Sequence, residues 1–363
     1  NKYLKEDNYA VIYKKQGKDP NEKKMTKPEI TPIITNRDVA SPFLVEVQES
    51  AVKPIEPVFL DYQKDMSQLK AKSDIPVLYK QNVANDLFQL IYVFDMGNNH
   101  DKALGTAFDY LEYLGTSDMT PEELKSEFYR LACTFYVSPG NERTYVVLSG
   151  LNENMPAAVQ LFEKLLADAQ VNKEAYTNMT SDILKARSDA KLNQGQNFSR
   201  LMSFAMYGPK SPATNLLTEA ELTNMNPQEL VDRIHNQNSY KHRILYYGPS
   251  SSKDLLATIN QYHQVPAALK DIPAGNEYAY LETPVTKVLV APYDAKQIYM
   301  AQISNLDKKY DPAIEPIRAL YDEYFGGGMN SIVFQEMRET RGLAYSAWAS
   351  IMPPSYLKYP YVL

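Results

Sequence analysis

Four histidines (His100, His235, His242 and His263) and one cysteine (Cys133) are the only imidazoles and thiol in this 363-residue chain. Zinc hydrolysis takes about three protein ligands and one open position for water. None of the four histidines has another four residues away. His235 and His242 are seven apart, with the strand-like Ser239-Tyr240 between them. Each histidine therefore reads as a surface or turn residue. Cys133 has no histidine near it in sequence and reads as a small core residue rather than a nucleophile. A lone cysteine builds neither an internal disulfide nor a thiolate metal site.

The second candidate is the run Gly326-Gly327-Gly328. Each glycine costs about 0.5–1 kcal/mol of chain entropy relative to alanine, so three in a row need a reason. One reading is a helix-to-helix turn too sharp for a Cβ. The other is a helix N-terminus whose free N–H groups face a ligand carbonyl or carboxylate. The run has neither the spacing and lysine of a P-loop nor the spacing of GxGxxG.

These residues must be positioned by a fold of ordinary composition. The chain is 44% hydrophobic and 23% charged with a net charge of −6, which fits a soluble globular protein of two domains and part of a third. The mild negative charge and the lack of a basic run argue against a nucleic-acid partner. No apolar stretch approaches the roughly 20 residues of a membrane span. The chain starts Asn1-Lys2-Tyr3 without methionine and reads as a processed or excised piece. Any signal peptide would lie upstream, so bacterial periplasm and cytoplasm both stay open.

Residues 1–17, with the strand-like Tyr9-Ala10-Val11-Ile12-Tyr13, read as the tail of a preceding domain. Residues 18–74 carry Pro20, Pro28, Pro32, Pro42, Pro54 and Pro57 and read as an extended connector. Residues 75–264 read as one complete domain, 265–283 as a proline-rich linker and 284–363 as an incomplete second domain. Within 75–264, strands are predicted at 77–79, 87–94, 135–137 and 144–148, the last two paired around Pro139-Gly140-Asn141. Another follows at 244–247. Helices are predicted from Leu104 to Leu114, then at 156–168, 172–206, 227–237 and 251–262. Thr120, Pro121 and Glu123 form a capping box for one more. Beyond the linker, strands are predicted near 286–291, 297–303 and 343–351, and helices near 312–325 and 329–340.

One internal repeat stands out. Tyr110-Leu111-Glu112-Tyr113-Leu114-Gly115 recurs 211 residues later as Tyr321-Asp322-Glu323-Tyr324-Phe325-Gly326. Each copy follows a strand, ends a helix at glycine and precedes a further helix and strand, which points to a duplication. The second copy has only about 80 residues where the first has about 190, so it reads as cut short. The predicted fold class is therefore α+β: duplicated units, each an antiparallel or mixed sheet with helices packed on one face, the second truncated.

From Gly326 to Ser346 the sequence reads Gly-Gly-Gly-Met-Asn-Ser, then Phe334-Gln335-Glu336-Met337-Arg338-Glu339-Thr340-Arg341-Gly342-Leu343-Ala344-Tyr345-Ser346. This segment resembles the C-terminal domain of the pitrilysin/insulinase-like zinc metallopeptidases, and a weaker resemblance extends over 75–363. It implies a protein of four such units in two halves. The first unit would carry an inverted zinc motif, H-x-x-E-H, and the second half would close over it around a substrate chamber. Residues 18–74 resemble the connector between the halves.

Against that pattern, the helix that would carry the motif reads Phe108-Asp109-Tyr110-Leu111-Glu112. Phenylalanine ligates no metal, and Glu112 alone holds none. The resemblance therefore implies the non-catalytic half of a zinc metalloendopeptidase. This chain would have no catalytic residue, metal or cofactor of its own, and zinc is expected in the N-terminal half of the parent. Its partners would be that half and an extended peptide substrate, which adds as a strand to an exposed sheet edge. In the family, an arginine in the last helix and a tyrosine seven residues later reach the zinc site of the other half. Arg338 and Tyr345 match that spacing and would bind substrate carbonyls and the developing oxyanion. The plain alternatives are a surface ion pair for Arg338 and one more tyrosine among 28 for Tyr345. Two other readings of the whole chain are a structural or assembly subunit of the same descent and a hydrolase with its own site. The first predicts a parent without H-x-x-E-H and the second predicts bound zinc.

Overall fold

The computed structural model describes residues 5, 7–14, 16–17, 26, 39–354 and 359–363. The chain divides into two compact units, 1–59 and 60–363. In the first unit, Ser41 starts a helix, α1 (Pro42–Glu49), by accepting a hydrogen bond from the Leu44 amide at 3.2 Å. Pro42 suits the first turn, where its missing N–H costs nothing. This helix lies inside the stretch expected to be an extended connector. The strand predicted over 9–13 is not formed. Those residues are exposed coil and find no backbone partner among the described residues.

The second unit is built on a mixed six-stranded sheet: β1 (Ser67–Lys70), β2 (Pro76–Gln81), β3 (Leu87–Phe94), β4 (Cys133–Pro139), β5 (Thr144–Leu151) and β6 (His242–Gly248). The spatial order is β1-β2-β6-β3-β5-β4. Only β2 and β6 run parallel. Alternation along β3 buries Phe88, Leu90, Tyr92 and Phe94 on the inner face, each 2% exposed or less. Burying a side chain of this size contributes about 1.5–3 kcal/mol.

Helices cover that inner face: α2 (Leu104–Leu111), α3 (Pro121–Arg130), α4 (Met155–Asp168), α8 (Gln228–Asn236) and α9 (Ser252–Tyr262). The capping box of α3 forms as expected. Glu123 N–H donates to Thr120 Oγ1 at 3.2 Å, and Thr120 N–H donates to Glu123 Oε2 at 2.8 Å. The single helix predicted over 172–206 is two, α5 (Lys173–Ala190) and α6 (Gln194–Tyr207). Asn193 breaks it by capping α6, its Oδ1 accepting from Gln196 N–H at 3.0 Å. A six-residue α7 (Glu219–Asn224) follows.

From 265 to 304 the chain is coil apart from one isolated bridge. It is tied to the sheet unit at separate points: Asn276 N–H to Asn99 O and Leu281 N–H to Met206 O, both 2.7 Å. The strands predicted near 286–291, 297–303 and 343–351 are not formed. A strand needs a ladder partner and a face to bury. Here Val288, Val290, Ile298 and Met300 stay exposed. Instead β7 (Asn305–Lys309) pairs with β8 (Pro360–Val362) through an irregular register. Two helical segments lie between them. α10 (Glu315–Asp322) runs on as a wider π-helical turn over 323–327, and the short α11 (Ile332–Phe334) does so over 335–340. No helix among the described residues is long and apolar enough to cross a membrane.

Candidate functional site

Arg338 and Tyr345 are brought together. Gly342 ends the last helical segment with φ +58°, a conformation that favours glycine, and its N–H donates to Arg338 O at 3.0 Å. The chain folds back, so the Tyr345 ring stacks 5.1 Å from the Arg338 guanidinium carbon. The Phe334 ring, one helical turn earlier, lies at 4.7 Å from the same carbon. A guanidinium held against two aromatic rings is fixed in orientation. Its ion pair with Glu339 is loose at 3.8 Å. Tyr345 is 88% exposed, so the pair faces solvent.

Gly326 and Gly327 close the π-helical turn that continues α10, and Gly328 follows it. A Cβ on Gly326 would overlap the backbone of Ala349, and one on Gly327 would press on Asp322 O and Glu323 Oε2. Gly115, its partner in the sequence repeat, is equally confined by the Met119 carbonyl. Close backbone approach therefore accounts for glycine at both positions.

The helix at the position of a zinc motif is α2. Phe108 is buried, and Asp109 and Glu112 line the rim of an apolar groove. Burial against the groove wall and then the charge of Glu112 raise the Asp109 carboxyl. Among the described residues, no three His, Cys, Asp or Glu side chains stand together to hold a metal ion. The residues present do not fit zinc. Cys133 is 3% exposed, and burial pushes its thiol up, away from the reactive thiolate.

Two histidines depart from the surface or turn placement expected of all four. His235 is exposed, and His100 sits in a turn, its Nδ1 accepting from Gly97 N–H at 3.1 Å. His242 and His263 are instead buried, 7% and 0% exposed. His263 Nδ1 meets Glu163 Oε1 at 2.7 Å, and His263 Nε2 meets His242 Nε2 at 2.8 Å. His242 Nδ1 lies 2.7 Å from Tyr240 O. A carbonyl only accepts, so His242 Nδ1 carries a proton and its Nε2 must accept from His263. One further proton lies on the Glu163–His263 line. Glu163 Oε2 accepts from Asn238 Nδ2 and Gln264 N–H, both at 3.0 Å, so the carboxylate is fully engaged.

Burial and the neighbouring His263 drive His242 down to about 4. Burial, reinforced by the charge of Glu163, pushes the Tyr92 phenol well above its ordinary range. The placement was missed because residues 21 apart in sequence meet only through β6 and α9. Glu163 carried a usable signal: it falls on the apolar face of α4 with Val159, Phe162 and Leu166.

No protein-family model matches the chain. In sequence it is 20% identical over 263 residues to an uncharacterized zinc protease of Rickettsia felis, a match covering 69% of this chain and 60% of that protein. The chain therefore spans less than two thirds of the curated relative it matches. In fold it is similar to the crystal structure of a peptidase M16 inactive domain from Pseudomonas fluorescens. That match has a TM-score of 0.61 at 18% identity and covers 82% of this chain and 73% of the other. It is also similar to the periplasmic protease PqqL of Escherichia coli, with a TM-score of 0.66 at 13% identity, covering 89% of this chain and 39% of PqqL. A protease from Helicobacter pylori gives 0.61 at 11% identity, covering 82% and 73%. With a mixed six-stranded sheet backed by helices and no metal-binding group among its described residues, the chain has the fold of the pitrilysin-like M16 peptidases and resembles their inactive domain.

Proposed function

We propose that this chain is the non-catalytic half of a zinc-dependent metalloendopeptidase. It closes the substrate chamber over the N-terminal half of the same polypeptide, where the zinc is held, and binds extended peptide. Arg338 and Tyr345 reach substrate carbonyls and the oxyanion formed at that zinc. Residues 75–264 are a complete peptidase-like domain, and 284–363 are part of a second copy of it. The recurrence of Tyr110–Gly115 as Tyr321–Gly326 supports the duplication.

The observation that carries this reading is the Arg338–Tyr345 pair: a solvent-facing guanidinium and phenol, stacked and pre-oriented. Fixed donors act where charge develops in a transition state. Among the described residues they face no ligand set of their own. The test is Arg338→Ala in the full-length parent. Loss of an oxyanion donor should lower kcat/KM by about 10²–10³-fold. A value unchanged within error contradicts the role, and a parent with no peptidase activity at all favours the assembly-subunit reading.

A further inference from the structure

The chain leaving α9 is fastened to the buried line of Glu163, His263 and His242. His263 N–H donates to Ile259 O at 2.9 Å, and Gln264 N–H donates to Glu163 Oε2 at 3.0 Å. Further on, Lys270 N–H donates to Ser239 O at 2.8 Å and Lys241 N–H to Lys270 O at 2.9 Å, a short parallel bridge. The Ser73 hydroxyl donates to Pro266 O at 2.7 Å. Val265, Leu269 and Ile272 are only partly buried against the core. Beyond them the coil runs to residue 304 and leads to the segment that carries Arg338 and Tyr345.

The geometry fixes how many hydrogens the closed cluster holds. It has three links: Tyr240 O to His242 Nδ1, His242 Nε2 to His263 Nε2, and His263 Nδ1 to Glu163 Oε1. Each link is 2.7–2.8 Å long and takes one hydrogen, since neither two lone pairs nor two N–H groups meet at that distance. Glu163 Oε2 takes none, because two N–H groups already point at it. The other rings facing the pair come from β3. Tyr92 lies 4.5 Å from His263 and Phe94 4.6 Å from His242, centroid to centroid. Lys270 and Lys241, the latter paired with Asp271, stand on the solvent side.

A fourth hydrogen therefore has no place. It would set two donors against each other at the His242–His263 link and leave a net charge on rings 7% and 0% exposed. His242 belongs to β6 and Glu163 to α4, both inside the core, whereas His263 lies just past the end of α9. His263 is the member that can leave. We infer that this cluster is an acid-sensitive latch: a fourth hydrogen parts the two histidines and frees residues 263–272 while the sheet stays folded.

The test is hydrogen exchange on the full chain, read as protection factors at each pH. Once open, both histidines are charged and Glu163 is ionised between about pH 6 and 4.5, so opening takes up one proton. Protection at the Gln264 and Lys270 amides should fall about tenfold per pH unit on acidification and stay below that of the β3 amides throughout. Glu163→Gln keeps all the links: its nitrogen donates to His263, and its oxygen accepts from Asn238 and Gln264. It lacks the carboxylate that brings the third hydrogen, so opening takes up two protons and the fall becomes about hundredfold per unit. His242→Gln offers a donor to Tyr240 O and an acceptor to His263 but binds no proton. Its protection should stay flat within about twofold. Protection at Gln264 and Lys270 that ignores pH in the unaltered chain overturns the latch. So does protection equal to that of β3, which means opening only with the whole sheet, and so does an equal slope in Glu163→Gln. If either variant fails to fold, the unaltered chain decides.

Discussion

Residues 76–262 and residues 284–363 start from similar sequence patterns and reach different structures. In the first, alternating apolar residues find ladder partners on both sides and helices above, so Leu90, Ile244 and Phe162 are fully buried. In the second, residues of the same type at 288, 290, 298 and 300 remain exposed and form no strand. A local strand signal is therefore conditional. Alternation prepares a segment for a sheet, and the sheet exists only where a neighbour and a face are supplied.

The contrast can be broken most forcefully by paired truncations. Leu90→Ala, at a fully buried position on β3, should cost about 2–5 kcal/mol in denaturant unfolding. Ile298→Ala, at a residue 90% exposed, should change stability by less than about 0.5 kcal/mol. Equal costs would mean that the second region has a core of its own.

A pH titration sharpens the comparison from within the sheet unit. His242 is held down to about 4 against an ordinary 6.5. Between those values the unfolded chain binds a proton that the folded chain refuses. Stability therefore rises with pH across the window and falls as the solution is acidified from about 6.5 toward 4, by roughly 3 kcal/mol in all. His242→Phe should flatten that slope in equilibrium unfolding between pH 4 and 6.5. A slope that persists would place the titrating group elsewhere.

The helix caps give the smallest effect. Thr120→Ala removes a reciprocal capping box on α3 and should cost about 1 kcal/mol. Ser331→Ala removes only a long 3.4 Å bond to Phe334 N–H and should cost a few tenths. Thermal unfolding of the two variants compares them directly.

Much of the first region was legible because its signals are local. Strands β3 and β5, the turn between β4 and β5, and the Thr120 cap all follow from neighbouring residues. The break at Asn193 was hidden because the apolar spacing continues across it. The Glu163–His263–His242 cluster was hidden for another reason: its members come from α4, the end of α9 and β6. Arg338 and Tyr345 were legible as a spacing through the family resemblance. Their stacking depends on the left-handed turn at Gly342, which no spacing rule states. In the second region the strand signals misled, since nothing in the sequence says whether a partner strand is at hand.

The proposed non-catalytic role requires that this chain hold no metal. The most direct measurement is the zinc content of the purified chain after equilibrium dialysis against zinc. No zinc should be retained above the buffer level, because Phe108 stands on the helix that would carry a ligand and no cluster among the described residues replaces it. One tightly held zinc per chain would contradict it.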